Sequence, residues 1–240
     1  MIYAEFANIY DSLMYDFDYN IVSSFIEDIL KIENKKVKHV LELGCGTGNL
    51  TELICDKYSV DAIDLSEDML SVAEQKLRNK NVRLFKQDMK NLDIEDKYDL
   101  VLSICDSINY LLDEKDVKNL FVKVFMQLNE NGLFIFDLNT KNKFENMDNT
   151  YVDEVDGVFC VLENFFDAKT DINLYSVNFF ENRGELYERF YEEHEERAYS
   201  IEFICNALKD AGFKKIKMYD EYKFDENVEE SDRIVYVAEK

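Results

Sequence analysis

Three glycines at alternate positions, Gly44, Gly46 and Gly48, follow the mostly apolar run 37–43. After them Leu50, Leu53 and Ile54 recur at helical spacing. Strand, glycine turn and helix in that order present unpaired helix-start N–H groups to polar ligand atoms. Residues without a Cβ let the backbone come close to the ligand. Asp64 stands twenty residues after Gly44, near the end of a second apolar run. An ionised carboxylate only accepts hydrogen bonds, and the vicinal diol of a ribose supplies two donors. Turn and carboxylate together read as the first unit of a doubly wound nucleotide-binding sheet.

The spacing of the glycines narrows the ligand. A dinucleotide turn, G-x-G-x-x-G, would need glycine at position 49, which is Asn49. The sequence at 42–48 is E-L-G-C-G-T-G, which resembles motif I of the class I S-adenosylmethionine-dependent methyltransferases. The resemblance implies that Glu42, Gly44, Cys45 and Gly46 surround the methionine half of S-adenosylmethionine. D-L-S-E-D-M-L at 64–70 resembles motif II, which implies ribose contacts from Asp64, a cofactor contact from Leu65 and adenine packing by Met69. Q-D-M at 87–89 implies that Asp88 accepts from the adenine amine and that the Met89 N–H meets the ring. F-A-x-I-Y-D-S-L-M at 6–14 is similar to the opening of small bacterial members of the family. In them this helix closes over the cofactor, which would place Tyr3 and Tyr10 at the site. Packing of Tyr10 in a core stays equally open.

The acceptor side is less marked. Cys105-Asp106-Ser107-Ile108-Asn109-Tyr110 runs beyond the carboxyl end of a central strand, where open sheets place chemistry. Cys105 is assigned to the cofactor. The N-P-P-Y-type motif of adenine-N6 methyltransferases is absent. Further on, Arg189, Tyr191, His194 and Arg197 share one predicted strand, and the H-x-x-R pair resembles the same bacterial group. A lone histidine is more often structural than catalytic. The candidates to orient or activate an acceptor are Tyr10, Asn109, Tyr110, Tyr191, His194 and Arg197. A sulfonium is already a strong electrophile, so alignment and desolvation carry most of the work and no fixed catalytic constellation is expected.

The elements that must position these residues follow from periodicity. Residues 1–32 read as two helices, the second with the stripe Ile21, Val22, Phe25, Ile26, Ile29 and Leu30. Strands are predicted at 37–43, 58–65, 82–85, 98–104 and 133–138. Ser66 caps a helix, and a long apolar helix runs from Val117 to a stop at Asn131-Gly132. From about Lys141 the pattern changes to three consecutive strands, 158–166, 172–181 and 185–200, with a hairpin at Asn182-Arg183-Gly184. Ser200 caps a last helix ending at Gly212, and strands at 213–218 and 233–238 flank an acidic linker. The expected fold is α/β and doubly wound. The resemblance implies seven strands in the order 3-2-1-4-5-7-6 with strand seven antiparallel. Residues 1–140 and 200–240 would form the cofactor-binding domain with an N-terminal helical lid. Residues 141–199 would be an inserted antiparallel subdomain covering the active site.

Composition sets the outer limits. The chain has 240 residues, 47% of them hydrophobic, and a formal net charge of -23. So acidic a chain repels phosphate backbones, so nucleic acid and anionic membrane are poor partners. Lys76, Arg78, Lys80, Arg83 and Lys86 cluster, and read as a solvated helix end and strand start. Five dispersed cysteines and only two histidines offer no zinc spacing, so no metal is expected and reduced thiols in a cytoplasmic protein fit. No signal peptide is read at the N-terminus, and no apolar run approaches the ~18 residues of a membrane span. The expected partner is a small-molecule methyl acceptor, with S-adenosyl-L-homocysteine as coproduct, acting in a monomer or weak homodimer. Two alternatives stay open: a nicotinamide-dependent oxidoreductase, and a non-enzymatic S-adenosylmethionine-binding protein.

Overall fold

The computed structural model describes residues 2–240, except for the side chains of residues 2–6 and 8 in the first helix. The expectation for Tyr3 therefore lies outside the described residues. Two helices lead in, α1 (Ile2–Leu13) and α2 (Tyr19–Ile32), the second capped by the Asp18 carboxylate. A seven-stranded sheet follows from β1 (His39–Leu43), β2 (Ser59–Asp64), β3 (Val82–Lys86), β4 (Tyr98–Ser103) and β5 (Leu128–Asn139), closed by β10 (Lys215–Asp220) and β11 (Arg233–Glu239). Its order is β3-β2-β1-β4-β5-β11-β10, and β11 runs antiparallel to both neighbours. This is the order that the resemblance implies.

The sheet is buried on both faces, so its central strands carry apolar residues on both sides. Leu41 and Leu43 of β1 face a core built with α5 (Glu114–Gln127) and α7 (Ile201–Ala211). Val40 faces the opposite core, built with α2, α3 (Asn49–Ile54) and α4 (Glu67–Lys76). Ser66 and Ser200 cap α4 and α7 as expected, and Gly212 ends α7 at φ 113°. The long helix stops earlier than predicted. α5 ends at Gln127, and β5 starts at Leu128 because Leu128 already pairs with Tyr98.

Between β5 and α7 the chain builds a separate antiparallel sheet of four strands, not three. After α6 (Lys141–Asn146) come β6 (Thr150–Val155), β7 (Val158–Asp167), β8 (Ile172–Asn182) and β9 (Tyr187–Arg197). β6 and α6 are the elements that periodicity misses. β6 is a largely exposed edge strand carrying Asp153 and Glu154, so it lacks the apolar alternation of a half-buried strand. One face of this sheet buries Cys160, Val177, Phe179 and Phe190 with Phe144 of α6, and Ile9 and Leu13 of α1 pack there. Helix α1 and the turn after it are also tied to this subdomain, by hydrogen bonds from Ser12 to Asp156 and from Tyr15 to Asp153, each 2.8 Å.

Candidate active site

The three glycines of the turn have three different jobs, although all sit at positive φ. A Cβ on Gly44 would come within 2.6 Å of Ser107 Oγ, so this glycine lets the turn pack on the segment after β4. A Cβ on Gly48 would press on Leu77 and Ala73, so it lets α3 approach α4 and its flank. Among the described residues Gly46 faces open space, bounded by the Tyr10 ring 4.0 Å from where a Cβ would lie. Of the three, Gly46 is the one whose missing side chain leaves room for a ligand.

Asp64 ends β2 beside this space. Its Oδ2 accepts from the Gly46 N–H and its Oδ1 from the Ser66 N–H, both at 2.8 Å. Two backbone donors fix the carboxylate and leave acceptor capacity for both hydroxyls of a diol. Burial pushes the Asp64 carboxyl up, against the pull of these N–H groups. Glu42 lies beneath the turn, buried, and accepts from the Thr51 hydroxyl at 2.5 Å. Burial takes its carboxyl up to about 7. Asp88 caps a short 3-10 turn by accepting from the Lys90 N–H at 2.9 Å, and Met89 leans toward Gly44. The Met69 N–H donates to the capping Ser66 hydroxyl, and Leu65 is 67% exposed, open to a ligand. Cys45 is buried, and burial pushes its thiol well up.

Tyr10 lies over the turn and shares a hydrogen bond with Tyr19. The helix that carries it is anchored by Asp11, which the sequence reading does not single out. Asp11 accepts from the Thr47 hydroxyl at 2.5 Å, from the Asn49 amide at 2.9 Å and from Lys76 at 2.7 Å. Asn49 stands where a dinucleotide turn has glycine, and its amide closes α1 onto the turn. An open cradle at Gly46, a fixed diol acceptor at Asp64 and a covering tyrosine fit S-adenosylmethionine.

Beyond β4 the backbone is strained: Cys105 and Asp106 are consecutive non-glycine residues at φ 60° and 52°. Such conformations cost on the order of 1–3 kcal/mol each and need surroundings that enforce them. The enforcement is a buried cluster. The Asp106 N–H donates to Asp137 at 3.0 Å, and Arg233 reaches both Asp106, at 2.7 Å, and Asp137. The Tyr222 hydroxyl donates to Asp137 at 2.6 Å. Against burial, Arg233 and Lys143 hold the Asp106 carboxyl below its usual range. Glu196 joins through Asn139 at 2.9 Å, and burial followed by Asp106 pushes its carboxyl well up. These residues come from distant strands, and no sequence spacing connects them.

The acceptor-side candidates separate into two groups. Asn109 is fully buried, and its Nδ2 donates to the carbonyls of Asn139 and Arg197 at 3.0 and 2.9 Å. Its Oδ1 accepts from the Asn139 N–H, so Asn109 is a structural latch, not a group free to meet an acceptor. Tyr110 exposes 44% of its surface and packs edge-on against His194, ring centroids 6.0 Å apart. Burial pushes the Tyr110 phenol well up and the His194 imidazole down. Tyr191 and Arg197 are not brought to this place. Strand side chains alternate, so residues an odd number of positions from His194 point through the opposite face of the sheet. Tyr191 bonds to Glu193 and Ser176 on that outer face, and Arg197 donates to the Leu112 carbonyl.

Two surface depressions lie away from the cradle and share none of its residues. One, about 310 Å³, is beside α2 at Ile21 and Phe25; the other, about 410 Å³, is at the amino ends of the central strands at Lys35 and Asp99. Among the described residues no group of His, Cys, Asp and Glu is placed to hold a metal ion.

Residues 40–132 match the family described as a methyltransferase domain. A crystal structure of an S-adenosylmethionine-dependent methyltransferase from Clostridium acetobutylicum ATCC 824 is 40% identical, with TM-score 0.90, covering 99% of this chain and 98% of that one. The chain belongs to the class I S-adenosylmethionine-dependent methyltransferases. The YqeM protein of Bacillus subtilis (strain 168), named as a methyltransferase, is 33% identical over 100% of this chain and 98% of its own. Streptomyces venezuelae DesVI shares the fold at TM-score 0.81 and 22% identity, covering 97% of each chain. The cofactor of this methyltransferase is S-adenosylmethionine, and the oxidoreductase alternative is not favoured.

Proposed function

We propose that this methyltransferase acts on a small-molecule acceptor, at nitrogen or oxygen, in the cytoplasm, as a monomer or weak homodimer. The observation that carries the reading is the second sheet. Its inner face is packed against α1 and α6, and the end of β9 is latched beside the segment that follows β4. Residues 1–140 and 200–240 form the cofactor-binding unit, and residues 141–199 cover the active site. A cleft roofed in this way suits a small molecule better than a duplex or a folded protein. Among the described residues no helix is long and apolar enough to cross a membrane. Four of the five basic residues that cluster in sequence are engaged by carboxylates, which disfavours an anion-binding patch. Lys76, Lys80, Arg83 and Lys86 each face a carboxylate, at Asp11, Asp56, Asp61 and Glu67.

Bound S-adenosylmethionine supplies an electrophilic methyl group on a positively charged sulfur. The chain's part is to align the acceptor's lone pair and keep water out. Asp64 holds the ribose, the turn at Gly44, Cys45 and Gly46 holds the methionine half, and Asp88, Met89, Leu65 and Met69 hold the adenine. Tyr10, Tyr110 and His194 border the acceptor. Labelled S-adenosylmethionine incubated with small-metabolite, bulk-RNA and protein fractions of a cell extract tests the reading. Label is expected in the small metabolites, and label chiefly in RNA or protein overturns it.

A further inference from the structure

The inner face of the second sheet carries polar groups that its own packing leaves unpaired. Three cross-strand rows share that face: Glu196 beside Asn173, His194 beside Tyr175 and Asn164, and Glu192 beside Val177. Asn173 is 0% exposed, and neither its Oδ1 nor its Nδ2 has a hydrogen-bond partner among the described residues. Asn164 Oδ1 and Glu192 Oε1 are likewise buried and unpaired, in residues 7% and 6% exposed. Leaving one such group without a partner costs about 1–3 kcal/mol, and native proteins keep few of them without a reason. Here several lie within two adjacent pairs of strands, on the face turned toward the cofactor-binding unit.

We propose that Asn173 and Glu192 are specificity-determining residues of the acceptor site, and that the acceptor is a small amine that also bears hydroxyl groups. The inference rests on the small-molecule reading above. The unpaired atoms are two amide oxygens, a carboxyl oxygen and one amide N–H donor group, so the face asks chiefly for donors. The charged groups near it are Glu192, Glu196 and Asp106 against Lys143 and Arg233. Arg233 is already engaged by Asp106 and Asp137. Lys143 donates to Asn139 at 2.9 Å. His194 faces Glu192 at 3.6 Å, and burial pushes the His194 imidazole down and the Glu192 carboxyl up. Among the described residues no further cation faces this site to receive a carboxylate or phosphate. A ligand amine N–H or hydroxyl O–H supplies the donors that the face lacks, and the Asn173 amide can both accept from and donate to a hydroxyl neighbour. The nitrogen attacks as the neutral amine: the methyl–sulfur bond breaks, neutral S-adenosyl-L-homocysteine leaves, and the positive charge passes to the methylated nitrogen.

The test uses the full chain and a small-molecule cell extract separated on ion exchangers into cation-retained, anion-retained and unretained fractions. Labelled S-adenosylmethionine is expected to label the cation-retained fraction. Asn173→Leu and Glu192→Gln are each expected to slow that labelling by about tenfold or more, the size of a lost hydrogen bond to a polar or charged group. Calorimetric affinity for S-adenosylmethionine should stay within about twofold. Asn173→Leu should also raise the melting temperature, because an apolar group replaces an orphaned amide. Label confined to the anion-retained or unretained fraction overturns the amine assignment and leaves the small-molecule reading intact. Wild-type labelling rates in both variants overturn the roles of Asn173 and Glu192. If Asn173→Leu does not fold, Glu192→Gln, which keeps the shape, decides alone. Label only in RNA or protein removes the underlying reading, and this inference with it.

Discussion

Lys76, in the last turn of α4, donates to Asp11, near the end of α1, at 2.7 Å. The contact joins the helix that carries Tyr10 to the helix that follows β2. Thr47 and Asn49 of the turn add two more donors to the same carboxylate. Against burial, these three partners hold the Asp11 carboxyl below its ordinary value. A lowered carboxyl contributes stability above its unfolded value and loses it as pH falls through the folded one. The latch is therefore fully ionised at neutral pH. Asp11→Ala should speed release of S-adenosylmethionine several-fold while leaving association little changed. Stopped-flow release at the wild-type rate would show that α1 does not cover the ligand.

Asp64→Ala should weaken S-adenosylmethionine binding by roughly 1.5–3 kcal/mol, the range for hydrogen bonds to a charged group. Isothermal calorimetry reads this directly, and an unchanged affinity removes Asp64 from the ribose site.

Gly46 and Gly44 should respond differently to one added methyl group. Gly46→Ala has room in the ligand-free protein and pays mainly the left-handed backbone cost of about 1–2 kcal/mol. Its loss of cofactor affinity should be at least tenfold, about 1.4 kcal/mol. Gly44→Ala meets Ser107 instead, and overpacking adds about 1–3 kcal/mol of instability. Denaturant melts and binding titrations on both variants check the contrast.

Glu42 gives the fold a slope in pH. Its carboxyl stands at about 7 in the folded chain against an ordinary 4.5, chiefly through burial. The folded state thus binds this proton more tightly than the unfolded state. Its contribution is complete below pH 4.5 and is lost as pH rises to about 7. The total is on the order of 3 kcal/mol. Glu42→Gln should flatten the fall in stability across this window. Denaturation midpoints of the ligand-free proteins at a series of pH values measure it, and parallel curves would refute it.

Arg233→Ala should destabilise the protein by about 3–5 kcal/mol, because it strands Asp106 and Asp137 without their cation. Arg233→Lys should recover little, since one ammonium cannot serve two carboxylates in a fixed fork. Chemical denaturation of both variants gives the comparison.

The cofactor side was legible in the sequence because its parts are local. Gly44 to Gly48 form one turn, Asp64 ends β2, and Asp88 stands two residues after β3. The acceptor side was not, because it is assembled across long separations. Asp106, Asp137, Glu196 and Arg233 meet only after β4, β5, β9 and β11 are in place. His194 and Arg197 invited a reading as a pair, but three positions along a strand reverse the direction of the side chain. Counting parity would have drawn attention to Glu192 and Glu196 instead, which share the face of His194. Asn109 looked like chemistry and proved to be architecture, a distinction that only its hydrogen-bond partners reveal.

That architecture has a consequence for how such a chain can diversify. The second sheet leaves the first after Asn139 and returns at Arg197, and one amide, that of Asn109, grips the carbonyls of both junctions. Both ends of the excursion are thus held at one residue, like a cassette clipped into a frame. Between the clips, strands can be lengthened, recoloured or exchanged without disturbing the register of β4 and β5. A lineage can therefore keep one cofactor engine and refit its acceptor by rewriting the cassette alone. Grafting residues 141–196 from another such methyltransferase is the laboratory version of that step.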